Sequence, residues 1–143
     1  VAGKMNTAQY AYKIEPVAFA ANPSTGFKVN GVSDILNIGN DKLLVIERSF
    51  STGRIHNTIK LFIADLKDAT DIRSITLKNN QSFIPARKRL LLDMDELGIH
   101  TDNIEGVTFG PLLPNGHKTL LFIADNNFSD LQKAQVFLFE VFE

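Results

Sequence analysis

The chain has 143 residues, 44% hydrophobic and 22% charged, which is enough for one folded domain with its own core. Its net charge of −1 gives no electrostatic support for binding nucleic acid or an anionic membrane surface. No apolar run approaches the roughly 20 residues that span a bilayer, so no membrane span is expected. Cysteine is absent, which excludes disulfides and thiolate metal sites.

Short β-strands are predicted along most of the chain. Residues 9–15 alternate aromatic and polar side chains and predict a half-buried strand that Pro16 ends. The pattern weakens between 66 and 86, which predicts a long insertion with one short strand near 72–77. A single helical turn is expected at 95–97. Runs rich in β-branched and aromatic residues, separated by Gly, Asn and Pro, predict the remaining strands at 31–38, 42–50, 57–65, 87–94, 104–110, 118–125 and 134–141.

The second half of the sequence repeats the first. Gly31-Val32 opens an apolar stretch that turns and returns as a second strand, and Gly106-Val107 does the same later. Repeated β-units of this kind are typical of propeller blades. The predicted fold is all-β, with two four-stranded antiparallel propeller-type blades at about 31–94 and 103–142. The strand at 9–15 either completes the second blade or belongs to a preceding one, so 1–143 is interpreted as one fragment of a larger β-propeller.

Polar residues occupy equivalent strand ends in both copies. The start of one strand in an antiparallel hairpin lies beside the end of the next, so these residues should converge on one face. Carboxylates and amides gathered there could bind a hard cation such as calcium, or orient a water or a substrate hydroxyl. Alternatively, they only satisfy turn amides and need no ligand. The residues concerned are Asn30, Ser33, Asp34, Glu47 and Arg48 in the first copy, and Asn103, Glu105, Asp125, Asn126 and Asn127 in the second.

Other polar residues give weaker signals. Of the three histidines, only His100, just before the segment 103–105, is a candidate site residue. The basic run 87–89 is interpreted as a solvated strand edge. No Gly-x-Ser-x-Gly elbow occurs in the sequence, so a serine mechanism of the α/β-hydrolase type has no support.

Two segments of the second copy carry a resemblance to a known family. The run Asp102-Asn103-Ile104-Glu105-Gly106-Val107 and the later run Asp125-Asn126-Asn127-Phe128 closely resemble the C-terminal part of the phytase-like family, labelled "esterase-like activity of phytase". The first copy resembles the preceding blade, so the resemblance covers most of the chain from about Gly31. It implies a β-propeller-like fold in bacterial, exported proteins (periplasmic or secreted) and a hydrolase acting on phosphate or carboxylic esters. The family's domain is longer than this chain.

The leading functional hypothesis is therefore a metal-assisted ester or phosphoester hydrolase. In it, Glu47, Glu105 and Asp125 bind a divalent cation, expected to be calcium, that activates a water. Glu105, Arg48 and Asp125 are the catalytic candidates, and Arg48 holds an anionic substrate oxygen. Asn103, Asn126 and Asn127 are the candidates for substrate binding.

The alternative hypothesis is a non-catalytic β-propeller that binds a glycan, peptide or protein at the cell envelope. In either case open blade edges predict self-association.

Overall fold

The structure, a computed structural model, describes residues 7–79 and 82–142 and is all-β, as the sequence predicts. Its strands form two antiparallel sheets, one of four strands in the order β1-β2-β3-β4 and one of three in the order β5-β6-β7. Two short 3-10 helices occupy Leu77–Asn79 and Met94–Leu97. The strands are β1 (Lys28–Gly39), β2 (Lys42–Ser51), β3 (Thr58–Asp65), β4 (Arg87–Asp93), β5 (Ile104–Phe109), β6 (Thr119–Ala124) and β7 (Gln135–Glu140).

The turn between β1 and β2 shows how local chemistry shapes the first sheet. Gly39, Asn40 and Asp41 have φ values of 85°, 54° and 56°. Glycine adopts this left-handed region freely, and Asn and Asp tolerate it better than other residues. The chain therefore reverses tightly here, and the strands pair from Gly39↔Lys42 to Lys28↔Ser51.

The core lies between the two sheets, whose inner faces pack against each other as neighbouring propeller blades do. Each fully buried aliphatic or aromatic side chain contributes about 1.5–3 kcal/mol. A polar contact joins the sheets at their edge, where Asp34 Oδ2 accepts a hydrogen bond of 2.9 Å from the Val107 amide. The buried core residues are Leu44, Ile46, Ile59, Leu61, Met94, Ile104, Phe122 and Ala124.

The N-terminal segment (residues 7–19) covers the outer face of the first sheet. Tyr12 packs against a second apolar cluster formed by Val45, Ala64 and Ala86. The segment forms no strand, so the strand predicted at 9–15 is wrong. Of its alternating residues, Tyr12 is partly buried against the first sheet, whereas Tyr10 and Ile14 are 38% and 43% exposed. The second sheet consequently has three strands among the described residues, rather than four.

The contacts of the N-terminal segment with β2 are made by side chains of β2. Glu47 Oε2 accepts a 2.9 Å hydrogen bond from the Glu15 amide, and Ser49 Oγ accepts one of 2.9 Å from the Ala18 amide. Ser51 Oγ donates to the Phe19 carbonyl at 2.6 Å. The segment is thus held by every second residue of β2, all on one face of the strand.

The connection from β3 to β4 differs from its prediction in one respect. The short strand expected near 72–77 is not formed, and a 3-10 helix begins at Leu77 instead. The backbone amides of Ile72 and Ala86 bond to the carbonyls of Gln9 and Ala11 at 2.8 Å each. This connection therefore anchors the N-terminal segment. Along the described chain, no helix has the length and apolar character needed to cross a membrane.

Candidate functional site

Glu47 and Arg48 are adjacent in sequence but lie on opposite faces of β2. Successive side chains of a strand alternate between its two faces. Leu44 and Ile46 face the second sheet, and Arg48 continues that row beyond the core, where it lines an inter-sheet cleft. Glu47 faces the N-terminal segment. The two neighbours therefore form ion pairs with other residues, Glu47 with Lys88 and Arg48 with Glu105.

Arg48 connects the two sheets at the end of the core. Its Nη1 donates to Oε1 of Glu105 at 3.1 Å and also to Oδ1 of Asn103. The Asn103 side-chain amide donates to Glu105 as well. The side chains of Arg48 and Glu105 are 32% and 43% exposed, so solvent reaches the pair. The structure thus brings together three of the residues that the sequence singles out, one from the first sheet and two from the second.

A cleft of about 330 Å³ opens beside this contact. One part of its lining is polar and includes Arg48 and Asn103. Another part is formed by apolar side chains of β1, β2 and three loops. The lining residues are Phe27, Val29, Gly31, Val32, Ser33, Arg48, Phe50, Ile55, His56, Asn57, Asp102, Asn103, Leu131 and Gln132.

His56 is a cleft residue that the sequence analysis missed. Arg54 Nη2 lies 3.2 Å from His56 Nε2. A guanidinium can only donate, so in this contact Nε2 is the acceptor and Nδ1 is left as the donor of the ring. Arg54 is itself held by Asp95 Oδ2 at 3.2 Å. His56 is therefore a hydrogen-bond donor at the cleft wall. Its isolated position in the β2–β3 loop gave no signal in the sequence.

His100, the histidine kept as a candidate, lies behind His56. The two rings meet edge to face, with centroids 5.8 Å apart. His100 Nε2 is 3.5 Å from Oδ2 of Asp102. Asp102 is buried and accepts hydrogen bonds from the amides of Asn103 (2.9 Å) and Lys133 (2.8 Å). The Asp102 carboxylate therefore fixes the loop that carries Asn103.

The residues after β6 play mostly local roles. The Asp125 amide donates to the Asn103 carbonyl at 3.3 Å, and the Asp125 side chain is exposed. Asn126 Oδ1 accepts from the Phe128 amide at 3.2 Å. Asn127 has a φ of 49° and donates to Gln132 at 3.0 Å. In the described chain the two asparagines thus act as turn residues, the alternative already noted for them.

Glu47 is enclosed in a separate network under the N-terminal segment. Its side chain is 1% exposed and lies 2.6 Å from the Lys88 ammonium, which is 13% exposed. The Tyr12 hydroxyl and the Asn30 amide donate to it at 2.8 and 2.9 Å. Lys88 also contacts Glu15 at 2.9 Å. The interpretation of the basic run 87–89 as a solvated strand edge is therefore wrong for Lys88.

This network shifts two pKa values. Burial alone would raise the pKa of Glu47, but the hydrogen bonds it accepts, above all from Lys88, hold that pKa below its ordinary value. Burial raises the pKa of Tyr12, and its hydrogen bond to the Glu47 carboxylate raises it further. Glu47 is thus a buried, ionised carboxylate whose charge Lys88 balances.

The three carboxylates expected to bind calcium do not form a cation site among the described residues. No cluster of three or more His, Asp or Glu side chains suited to a metal occurs in 7–79 or 82–142. Lys88 contacts Glu47, and Arg48 contacts Glu105. A protein cation thus already lies beside two of the three carboxylates, and the described residues do not gather them into a site that fits a bound metal ion.

Comparison with known proteins gives one match. A family model described as "Phytase-like: Esterase-like activity of phytase" matches residues 1–128. The match includes the N-terminal segment, the first copy of the repeat and the second copy up to residue 128, before β7. No curated protein and no solved structure matches the chain.

Proposed function

The chain belongs to the phytase-like family, and from that premise we propose that the cleft between its sheets binds and hydrolyses esters with an anionic oxygen. The family supports a hydrolase-type function in general. The observation that carries the specific proposal is Arg48, which Glu105 and Asn103 hold at the cleft wall. Phosphate and carboxylic esters are both candidates for the substrate.

Arg48 has the geometry of an anion-binding group. Only its Nη1 bonds to protein groups among the described residues, which leaves Nε and Nη2 to face a ligand. A guanidinium presents these donors as a planar fork that matches two oxygens of a carboxylate or phosphate. Because Glu105 and Asn103 already fix the side chain, little ordering is needed when charge develops on the substrate.

His56 supplies a second donor to the reacting ester. Its Nδ1–H donates to the leaving oxygen, while a water attacks the carbonyl carbon or the phosphorus. The ester C–O or P–O bond then breaks. One hydrogen of the water passes to the leaving alkoxide, and the remaining hydroxyl of the water becomes part of the acid product. The reaction consumes one water and needs no co-reactant. Calcium enters no step.

The proposal is tested by hydrolysis of methyl p-nitrophenyl phosphate, p-nitrophenyl phosphate and 4-acetoxybenzoate, each of which carries an anionic oxygen. Removal of one preorganised donor typically lowers kcat about 100-fold or more, and we expect Arg48→Gln to lower kcat/KM on that order. Arg73→Gln is the matched control, because Arg73 is half-exposed and pairs with Asp71 outside the cleft. Equal rates for wild type and Arg48→Gln would contradict the proposal.

Binding without turnover is the second candidate function. It is favoured by the absence, among the described cleft residues, of an evident general base, since Asp102 holds the loop and Glu105 is paired with Arg48. It predicts that Arg48→Gln weakens ligand binding while wild type shows no hydrolysis above buffer. Its proposed setting, the periplasm or cell exterior, is tested by cell fractionation.

The remaining sequence-based expectations stay predictions. Calcium binding is tested by isothermal titration calorimetry of wild type and Asp125→Asn. Heat of binding lost in the variant would support a calcium site at Asp125, and no heat in wild type would remove calcium from consideration. Self-association is tested by light scattering over a range of protein concentrations.

A further inference from the structure

The cleft gathers apolar side chains that folding leaves in water. Ile55 and Leu131 are 93% and 94% exposed, and Phe27 is 66% exposed. All three line the cleft, where the rings of Phe27 and Phe50 lie 6.2 Å apart. Apolar groups clustered around a polar centre are typical of ligand-binding clefts, because the ligand covers them. This wall therefore fits the apolar part of a ligand.

The opposite wall carries little positive charge. Among the described residues of its lining, Arg48 and His56 are the only side chains that can be cationic, and Asp102 is acidic. Glu105 contacts Arg48 and offsets part of its charge. Recognition of a polyphosphate requires several cationic groups acting together. The cleft offers one guanidinium.

Basic side chains are concentrated elsewhere. Lys42, Arg87, Lys88 and Arg89 line a separate groove of about 280 Å³ along β3 and β4. Within it, the Lys88 ammonium is paired with Glu47, and Arg87 Nη2 lies 3.5 Å from Asp68 Oδ2. The positive charge of this groove is thus separated from the cleft that holds Arg48, and it does not help the cleft to bind a polyanion.

We propose that the cleft selects an ester with one negative charge and one aromatic or alkyl group, and that it discriminates against inositol hexakisphosphate. The inference rests on the proposed function, because it assumes that Arg48 holds the anionic oxygen of the ester. The apolar group lies on the Phe27–Phe50 wall, and the single charge meets Arg48. The substrate preference of this chain therefore departs from the phytate that the family's name suggests.

The test measures binding to the whole chain by isothermal titration calorimetry with three probes. Methyl phenyl phosphate carries one charge and a ring, dimethyl phosphate carries the same charge without the ring, and inositol hexakisphosphate is a polyanion. A ring in an apolar pocket typically adds about tenfold or more in affinity. We expect methyl phenyl phosphate to bind at least that much more tightly than either other probe.

Two variants locate the effect. Phe27→Ser, a change at an exposed residue, should weaken methyl phenyl phosphate and leave dimethyl phosphate unchanged, whereas Arg48→Gln should weaken both. Phe142→Ser is the control, because Phe142 is 73% exposed and does not line the cleft. Tighter binding of inositol hexakisphosphate, no effect of Phe27→Ser, or no binding of any probe would overturn the inference.

Binding and turnover separate the two proposals. The expected probe preference without hydrolysis of any ester would refute the hydrolase and leave the selectivity standing. Hydrolysis that depends on Arg48 but is faster with inositol hexakisphosphate than with the monoanionic methyl p-nitrophenyl phosphate would refute the selectivity and leave the hydrolase standing.

Discussion

The two faces of β2 carry charged residues in opposite environments, although those residues are neighbours in the sequence. On one face, Glu47 is enclosed by Lys88, Tyr12 and the N-terminal segment, and its carboxylate is paired with the Lys88 ammonium. On the other, Arg48 is a third exposed and retains donors that face a cleft. A buried charge with complete partners stabilises or specifies a fold, whereas a half-solvated charge with spare donors can bind a ligand. Strand alternation alone separates these roles.

The largest loss of stability is expected from a change at Glu47, on the buried face of β2. Glu47→Gln removes the buried counter-charge of Lys88 and leaves its ammonium only the half-exposed Glu15 carboxylate. Breaking a buried pair typically costs about 3 kcal/mol or more. We therefore expect a marked fall in the free energy of unfolding, measured by urea denaturation. Glu96→Gln, at an exposed position, is the control and should change little. A difference below that of the control would mean that Lys88 is solvated instead.

Acid should remove the same stabilisation without a mutation. The pKa of Glu47 is lower in the folded protein than its ordinary value of 4.5. Its contribution is therefore complete above pH 4.5 and is lost as the pH falls through the folded value. Urea midpoints should differ between wild type and Glu47→Gln at neutral pH and converge below pH 4.5. A difference between the two urea midpoints that stays constant in acid would contradict the lowered pKa of Glu47.

A smaller effect is expected where the sheets are joined. Asp34→Ala removes the acceptor of the Val107 amide, and a hydrogen bond to a charged group contributes about 1.5 kcal/mol. Urea denaturation should show a loss of that order, with the exposed Asp130→Ala as control. A loss as large as that of Glu47→Gln would show that Asp34, not the apolar core, holds the second sheet in place.

The smallest loss of stability is expected from a change at Arg48, on the face of β2 that lines the cleft. Arg48→Gln removes a solvent-screened pair, and such pairs contribute about 0–1 kcal/mol. Thermal and urea unfolding should therefore change little, even where ligand binding or hydrolysis is lost. A loss comparable to that of Glu47→Gln would identify Arg48 as a structural link between the sheets instead of a ligand-binding group.

The strands and their order follow from local patterns, so the sequence predicts most of them well. Apolar alternation and the Gly39-Asn40 turn place β1 and β2 within a few residues of the observed bounds. The strand predicted at 9–15 was wrong because alternating side chains indicate only that some surface can cover part of the segment. Which surface does so depends on contacts such as Tyr12 with Glu47, which lie 35 residues apart.

The candidate site was predictable only in part. Antiparallel pairing and the family resemblance singled out Arg48, Asn103 and Glu105, which the structure brings together. The same reasoning grouped Glu47 with them, although alternation along β2 sends it to the other face. His56 and Lys88 had no local signal, because their roles arise from loop and strand packing that a single sequence does not encode locally.

The N-terminal segment is held by Glu47, Ser49 and Ser51, which recur at every second position of β2. These side chains set its alignment along β2, while backbone hydrogen bonds from Ile72 and Ala86 hold its earlier part at Gln9 and Ala11. A one-residue insertion between Glu15 and Ala18 would shift Ala18 away from Ser49 while Glu15 stays at Glu47, so both contacts could not form together. Length changes should thus be tolerated poorly in this short stretch, although it does not lie within a strand.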